Sequence, residues 1–212
     1  MHTPWARGRA FGSQDAASSR HVLDAALADV ICTANDAYLS DLARSASRSQ
    51  ADTGLPCNVV ASLSALDGAA RRRIAAVPFT LFSMKFNDMS YWQSVIERRA
   101  GAPRRSTSEG FGRTAVFLAW HLVQTGHATA GVALGMSSEV AALYQWLPLG
   151  DLDRIGGLAQ TVVAPRWPTN RAFWQRLLAA ARSTVAIDTA RFFGLQLLAA
   201  ETLQDGHIRS RA

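Results

Sequence analysis

Few side chains in this sequence have the types and spacing that chemistry requires. The histidines, His2, His21, His121, His127 and His207, are scattered along the chain. None stands with an acidic residue at the spacing of a metal site or a catalytic triad. Cys32 and Cys57 are the only cysteines. Both sit in partly apolar, helical contexts and read as reduced core thiols; without matched histidines they make no zinc site. Gly110-Phe111-Gly112-Arg113-Thr114-Ala115 fits a loose dinucleotide fingerprint. That mechanism needs a strand feeding the glycines. Here a polar stretch precedes them, so the run reads as the start of a helix. A phosphate-loop lysine motif, a His-Glu-x-x-His pair and a nucleophile elbow are all missing from the sequence. The expectation is a protein that is not an enzyme, with no cofactor and no metal. His121, beside Trp120, is expected partly buried, and His127 and His207, after Gly126 and Gly206, are expected to cap helix C-termini.

Charge supplies the other candidate chemistry. The net charge is +6, carried by arginine, with Lys85 the one lysine. Arginine suits phosphate and carboxylate recognition, and a positive balance fits nucleic acid or an acidic protein partner. The clusters are Arg71-Arg72-Arg73, then Arg98-Arg99 with Arg104-Arg105, then Arg166, Arg171 and Arg176. Arg98, Arg99, Arg104 and Arg105 are the candidate phosphate contacts. Leu134-Gly135-Met136-Ser137-Ser138-Glu139-Val140 has the form of a helix-turn-helix turn. The helix after it, 137–147, offers no arginine, nor does the 57–66 helix, so neither is suited to reading base edges.

Apolar periodicity places these residues on helices. Val22, Ala26, Val30, Ile31, Ala34, Ala37, Tyr38 and Leu42 recur at helical spacing and predict a helix over 19–44. Further helices are expected near 57–66, 67–76, 89–99, 110–125, 127–134, 137–147, 150–158, 170–183 and 187–204. Extended segments are expected near 79–86 and 161–167. Residues 1–18 read as a flexible N-terminal arm, 19–99 as a first helical module, 100–109 as a linker, and 110–212 as a second module with a C-terminal helix. No apolar run reaches the roughly 18 residues of a membrane span, and the first residues lack the apolar core of a secretory signal. A cytoplasmic location is the expectation.

Shifted so that Gly54 falls on Gly135, the chain matches itself. The same offset lays Val59-Val60-Ala61 on Val140-Ala141-Ala142, Leu66 on Leu147 and Arg73-Ile74 on Arg154-Ile155. Lys85-Phe86 falls on Arg166-Trp167, and one inserted residue then aligns Tyr91-Trp92-Gln93 with Phe173-Trp174-Gln175. The match predicts a mainly α fold built by tandem duplication of a small helical module and packed as a pseudo-dimer. Trp92, Trp174, Phe86 and Trp167 are the expected structural anchors, because both copies must build one core.

Val116-Phe117-Leu118-Ala119-Trp120-His121-Leu122, Leu134-Gly135-Met136, Glu139-Val140-Ala141, Leu147-Pro148-Leu149 and Arg166-Trp167 resemble the FlhD family, the small helical subunit of the bacterial flagellar transcriptional regulator. Ser62-Leu63-Ser64-Ala65-Leu66 and Met84-Lys85-Phe86-Asn87-Asp88 are similar to it as well. The resemblance covers somewhat under half of the chain. It implies a helical fold, dimerisation through those helices, and transcription regulation exerted with an FlhC-like partner that supplies a zinc site and most of the DNA contact. The chain is twice the family's length, and Phe82 and Val163 stand where the family has a cysteine, so an intersubunit disulfide is not expected. The order of Gly126, Leu147 and Pro165-Arg166-Trp167-Pro168 is also similar to accessory sorting-platform proteins of type III secretion. The alternative function is therefore a structural or chaperone-like component of a secretion or motility machine.

Overall fold

The structure, a computed structural model, describes the backbone of residues 13–48, 53–98 and 110–209. It describes side chains within 25–46, 53–98 and 110–201, except those of His127 and Thr184. Arg99, Arg104, Arg105, residues 1–12 and the linker 100–109 lie outside the described residues. The described chain is mainly helical: α1 (Ser13–Arg48), α2 (Cys57–Ser64), α3 (Gly68–Ala75), α4 (Met89–Glu97), α5 (Phe111–Thr125), α6 (His127–Leu134), α7 (Ser138–Gln145), α8 (Leu152–Ala159), α9 (Arg171–Ala180) and α10 (Thr184–Arg209). Two short strands, β1 (Phe82–Ser83) and β2 (Ala164–Pro165), pair antiparallel.

Several boundaries differ from the sequence reading. Helix α1 begins at Ser13, inside the expected arm, because no glycine or proline interrupts 14–48. The extended stretches shrink to two residues each. Pro78, Pro165 and Pro168 remove ladder donors, and Lys85 and Trp167 turn the chain with φ of 54° and 50°. Gly206 lies within α10 and so does not follow a helix end. Gly126, at φ 161°, joins α5 directly to α6, so His127 opens a helix.

The same order of elements occurs twice. The series α2, α3, β1 and α4 returns further along the chain as α7, α8, β2 and α9. Gly54 and Gly135 both adopt left-handed backbone, with φ of 71° and 67°. Buried positions repeat as well: Val59 and Leu63 in α2 against Val140 and Tyr144 in α7; Ile74 in α3 against Ile155 in α8; Trp92 and Val95 in α4 against Trp174 and Leu177 in α9. On α1, Ala34, Asn35, Tyr38 and Leu42 are buried, and so are Ala115, Val116, Ala119 and Val123 at the same phase of α5. The contacts are reciprocal. Helix α4 packs on α7 and α8, while α9 packs on α2 and α3. Helix α1 crosses α5, and Ser83 pairs with Ala164, its own counterpart under the Gly54-to-Gly135 offset.

The alignment of Phe86 with Trp167 is corrected. Trp92 Nε1 donates to Lys85 O at 3.1 Å, and Trp174 Nε1 to Trp167 O at 3.2 Å. Asp88 and Asn170 cap α4 and α9 through Tyr91 N–H and Phe173 N–H, at 2.9 and 3.0 Å. Lys85, not Phe86, therefore answers to Trp167. The extra residue falls earlier, where Met84 alone stands between Ser83 and Lys85 but Pro165 and Arg166 stand between Ala164 and Trp167. Each left-handed residue presents its carbonyl to the indole of the following helix, and that bond fixes the register more firmly than aromatic identity does.

The core runs continuously through both halves. Asn35 forms a polar knot within it. Its Nδ2 donates to Ala75 O and Phe79 O at 3.1 and 2.9 Å, and its Oδ1 accepts from Leu81 N–H at 2.8 Å. Thr80 N–H donates to Ala133 O at 2.9 Å, which ties the first half to α6. The two glycines of the lax fingerprint serve packing: Gly110 precedes α5, and a Cβ on Gly112 would lie 2.8 Å from Gly156 O of α8.

Candidate interaction surfaces

The anchors are interior. Trp92 and Trp174 have no exposed surface and Phe86 is buried, stacked on Trp92 at 5.7 Å with Tyr144 edge-on to both. Trp167 is half-buried, and its indole N–H donates to Glu201. None of these rings forms an open platform on which a base could stack.

Of the candidate phosphate contacts only Arg98 is described. It is exposed just past α4, and its carbonyl accepts from Arg154 Nη1 at 2.8 Å. Many other arginines are engaged within the molecule. Arg71 meets Asp36 at 2.7 Å, and Arg113 meets Asp153 at 2.8 Å. Arg191 donates to Ala76 O at 2.8 Å, and Arg176 lies over the Phe193 ring at 4.3 Å. Part of the positive charge thus joins elements of the fold, while Arg72, Arg98, Arg171 and Arg182 are exposed.

The turn between α6 and α7 has helix-turn-helix form. Gly135 ends α6 in left-handed backbone. Ser137 caps α7, its Oγ accepting from Val140 N–H at 3.3 Å. Helix α7 spans only Ser138–Gln145 and buries Val140, Ala141 and Tyr144. Its exposed residues, Ser138, Glu139, Ala142 and Gln145, bring no cation to a groove.

Sequence reasoning missed an apolar surface beside this helix. Trp146, just after α7, is 82% exposed, Leu149 is 60% exposed and Phe117 on α5 is 40% exposed. Trp120 Nε1 donates to Leu147 O at 3.1 Å, and Gln124 Nε2 to Gln145 O at 3.2 Å, so the 145–149 segment lies along α5. His121 is exposed on α5, contrary to the burial expected from its apolar neighbours. It projects from the same side of the helix as Phe117 and Gln124, one turn apart. A single large exposed aromatic is ordinary; exposed aromatics beside half-buried Trp120 form a surface of the kind that partners cover. The signal available in sequence was the comparison of halves. The offset that lays Gly135 on Gly54 carries Trp146, Leu149 and Phe117 onto Ala65, Gly68 and Asp36. Helix α10 presents a second apolar stripe, Val185, Phe192 and Leu195.

A cleft of about 740 Å³ lies where β1 and β2 meet α1, lined by Tyr38, Asp41, Ser83, Lys85 and Asn87 among others. The buried Tyr38 hydroxyl has no hydrogen-bond partner, and burial pushes its pKa upward. Among the described residues no group of His, Cys, Asp or Glu could hold a metal, and no helix is long and apolar enough to cross a membrane. Cys57 is exposed at the start of α2 rather than in the core, since Val59 and Leu63 take the inward face of this short helix. Cys32 is half-buried, with its thiol pKa raised by burial and then by Asp29 and Asp36. No family model, no curated protein and no solved structure matches the chain.

Proposed function

We propose that this chain is a transcription-regulator subunit similar to FlhD, in which two tandem copies of one helical module take the place of a homodimer and act through contacts with a DNA-binding protein partner. The observation that carries the reading is the exposed surface of Trp146, Leu149 and Phe117, present in the second half and replaced by Ala65, Gly68 and Asp36 in the first. Matching cores need no such difference, so the aromatic surface answers to something outside the fold. The reciprocal packing of α4 on α7 and α8, and of α9 on α2 and α3, supports the pseudo-dimer. The use of Arg71, Arg113, Arg154 and Arg191 in internal contacts supports leaving sequence choice to a partner.

Any DNA affinity of the chain alone resides in Arg98, Arg99, Arg104 and Arg105 and is directed at phosphates. Binding to random and promoter duplexes, measured at two salt concentrations with and without a co-expressed FlhC-like partner, tests this division. The expected result is weak, sequence-blind, salt-sensitive binding alone and selective binding with the partner. Replacing Arg104 and Arg105 with alanine should flatten the salt dependence by about one unit of slope per lost phosphate contact. Tight selective binding by the chain alone overturns the proposal. No binding at any salt, with or without the partner, favours the secretion- or motility-accessory reading, in which the same apolar surface meets a structural component.

A further inference from the structure

Helix α10 lies outside the repeated elements, and a buried charge helps to hold it. Arg166 is 3% exposed. Its Nη1 donates to Ala133 O at 3.0 Å, its Nη2 donates to the Glu201 carboxylate of α10 at 2.9 Å, and its guanidinium lies 4.9 Å from the centre of the Trp167 ring. The other Glu201 oxygen accepts the Trp167 indole N–H. One carboxylate thus receives both donors. An arginine taken out of water is costly unless paired, and the first half builds the corresponding turn with fully buried Met84 and no buried charge. The core therefore does not require Arg166; the helix that brings Glu201 to it does. Two turns before Glu201, on the same face, Gly194 lets α10 approach the Phe79 ring so closely that a Cβ would collide with it.

We propose that α10 is a releasable strap, fastened to the second half by the Arg166–Glu201–Trp167 latch and able to open as a unit while the repeated elements stay folded. The turn at Ala181 and Arg182 between α9 and α10 is the hinge. Opening uncovers Phe79 and Trp167, whose rings meet edge-on at 5.5 Å, and frees Arg166 to accept another carboxylate. The outer stripe of α10, Val185, Phe192 and Leu195, is exposed even in the closed state. The other ties of α10 are the burial of Ile187, Ala190 and Leu198, the Arg191 bond to Ala76 O and the Arg176 guanidinium over Phe193, all of which part when α10 swings about its hinge. Among the described residues, Glu201 supplies the one ion pair that ties α10 to another element.

The test is hydrogen exchange by mass spectrometry, with thermal unfolding, on the full chain carrying Glu201→Ala, Arg166→Met or both. Loss of the charge-assisted pair should raise exchange across 184–200 by about tenfold or more in all three, while α2 (57–64) and α4 (89–97) stay as in the parent. Glu201→Ala should also lower the melting temperature, because it strands Arg166. Arg166→Met, which installs the residue type of Met84, should not, and adding it to Glu201→Ala should restore the temperature without restoring protection of α10. Unchanged exchange of α10 in Arg166→Met and Glu201→Ala overturns the strap. So does exchange that rises equally along the whole chain, or a double variant no more stable than Glu201→Ala.

Discussion

Residues 54–97 and 135–180 run through the same elements in the same order and differ in how they finish their surfaces. Both begin at a left-handed glycine, both turn at a left-handed residue whose carbonyl takes an indole N–H, and both end on a helix with an Asx cap. Many interior positions agree in residue type, while the surface diverges at Ala65 against Trp146 and Gly68 against Leu149, and the buried turn diverges at Met84 against Pro165-Arg166. Features common to both halves are what the fold needs. Features in only one half are where function or regulation is to be sought.

The largest expected effect tests the common part. Trp92→Ala and Trp174→Ala should each cost about 3–5 kcal/mol, the range for a buried aromatic, and by similar amounts, since each ring is fully buried and bonded to the carbonyl of the preceding left-handed residue. Denaturant unfolding gives both values. A loss confined to one of the two would mean that the halves bear load unequally despite their shared geometry.

Next comes an asymmetry inside the core. Asn35 on α1 bridges Ala75 O, Phe79 O and Leu81 N–H, whereas the matching position on α5 is Val116, equally buried. Asn35→Val, which gives the first half the residue of the second, should cost about 3 kcal/mol because it strands buried polar groups. A neutral substitution would show that water or a shifted backbone satisfies those groups, and that the knot is dispensable.

Much of this comparison was legible in the sequence, and the illegible parts have physical reasons. Apolar periodicity located most helices to within a few residues, since each buries one face, and the mainly helical class followed. The position of the inserted residue was misplaced because aromatic identity suggested Phe86 for Trp167, while the backbone turn obeys the Trp92 and Trp174 bonds. The short strands were overestimated because runs such as Phe79–Phe86 are apolar for reasons of core filling rather than pairing. The latch was invisible: Arg166 and Glu201 are far apart in the chain, and nothing in composition announces that they meet. Exposure of Trp146 could be read only by comparing the halves, where Ala65 stands in its place.

A pH experiment separates the halves at their helix caps. Asp88 caps α4, and its carboxyl is held below the ordinary value by the Tyr91 N–H and then by the Ser90 hydroxyl. Asn170 caps α9 and does not titrate. A depressed carboxylate stabilises the fold above its unfolded value, about pH 3.9, and that contribution disappears as pH falls through the lower folded value. Acidification should therefore loosen the start of α4 before that of α9, read from the amide shifts of Tyr91 and Phe173. Asp88→Asn should abolish the difference. Parallel behaviour of both caps in the parent chain would mean that another acid governs α4.

The smallest expected effect on stability belongs to Trp146. At 82% exposure its ring contributes little to the fold, and Trp146→Ala, which gives the second half the residue type of Ala65, should change unfolding free energy by no more than about 0.5 kcal/mol. Its value lies in what that small number permits. A substitution that leaves folding alone can be read directly in binding, where a central aromatic commonly accounts for about 2 kcal/mol or more. With a candidate DNA-binding partner, affinity should fall by roughly thirtyfold for Trp146→Ala. The converse substitution in the first half, Ala65→Trp, should not raise it, because Asp36 and Gly68 stand there in place of Phe117 and Leu149. Equal binding by the parent and Trp146→Ala would remove this surface from partner contact and shift attention to Val185, Phe192 and Leu195 on α10. A large loss of stability would instead show that Trp146 packs down in solution, making it part of what the two halves share rather than of what sets them apart.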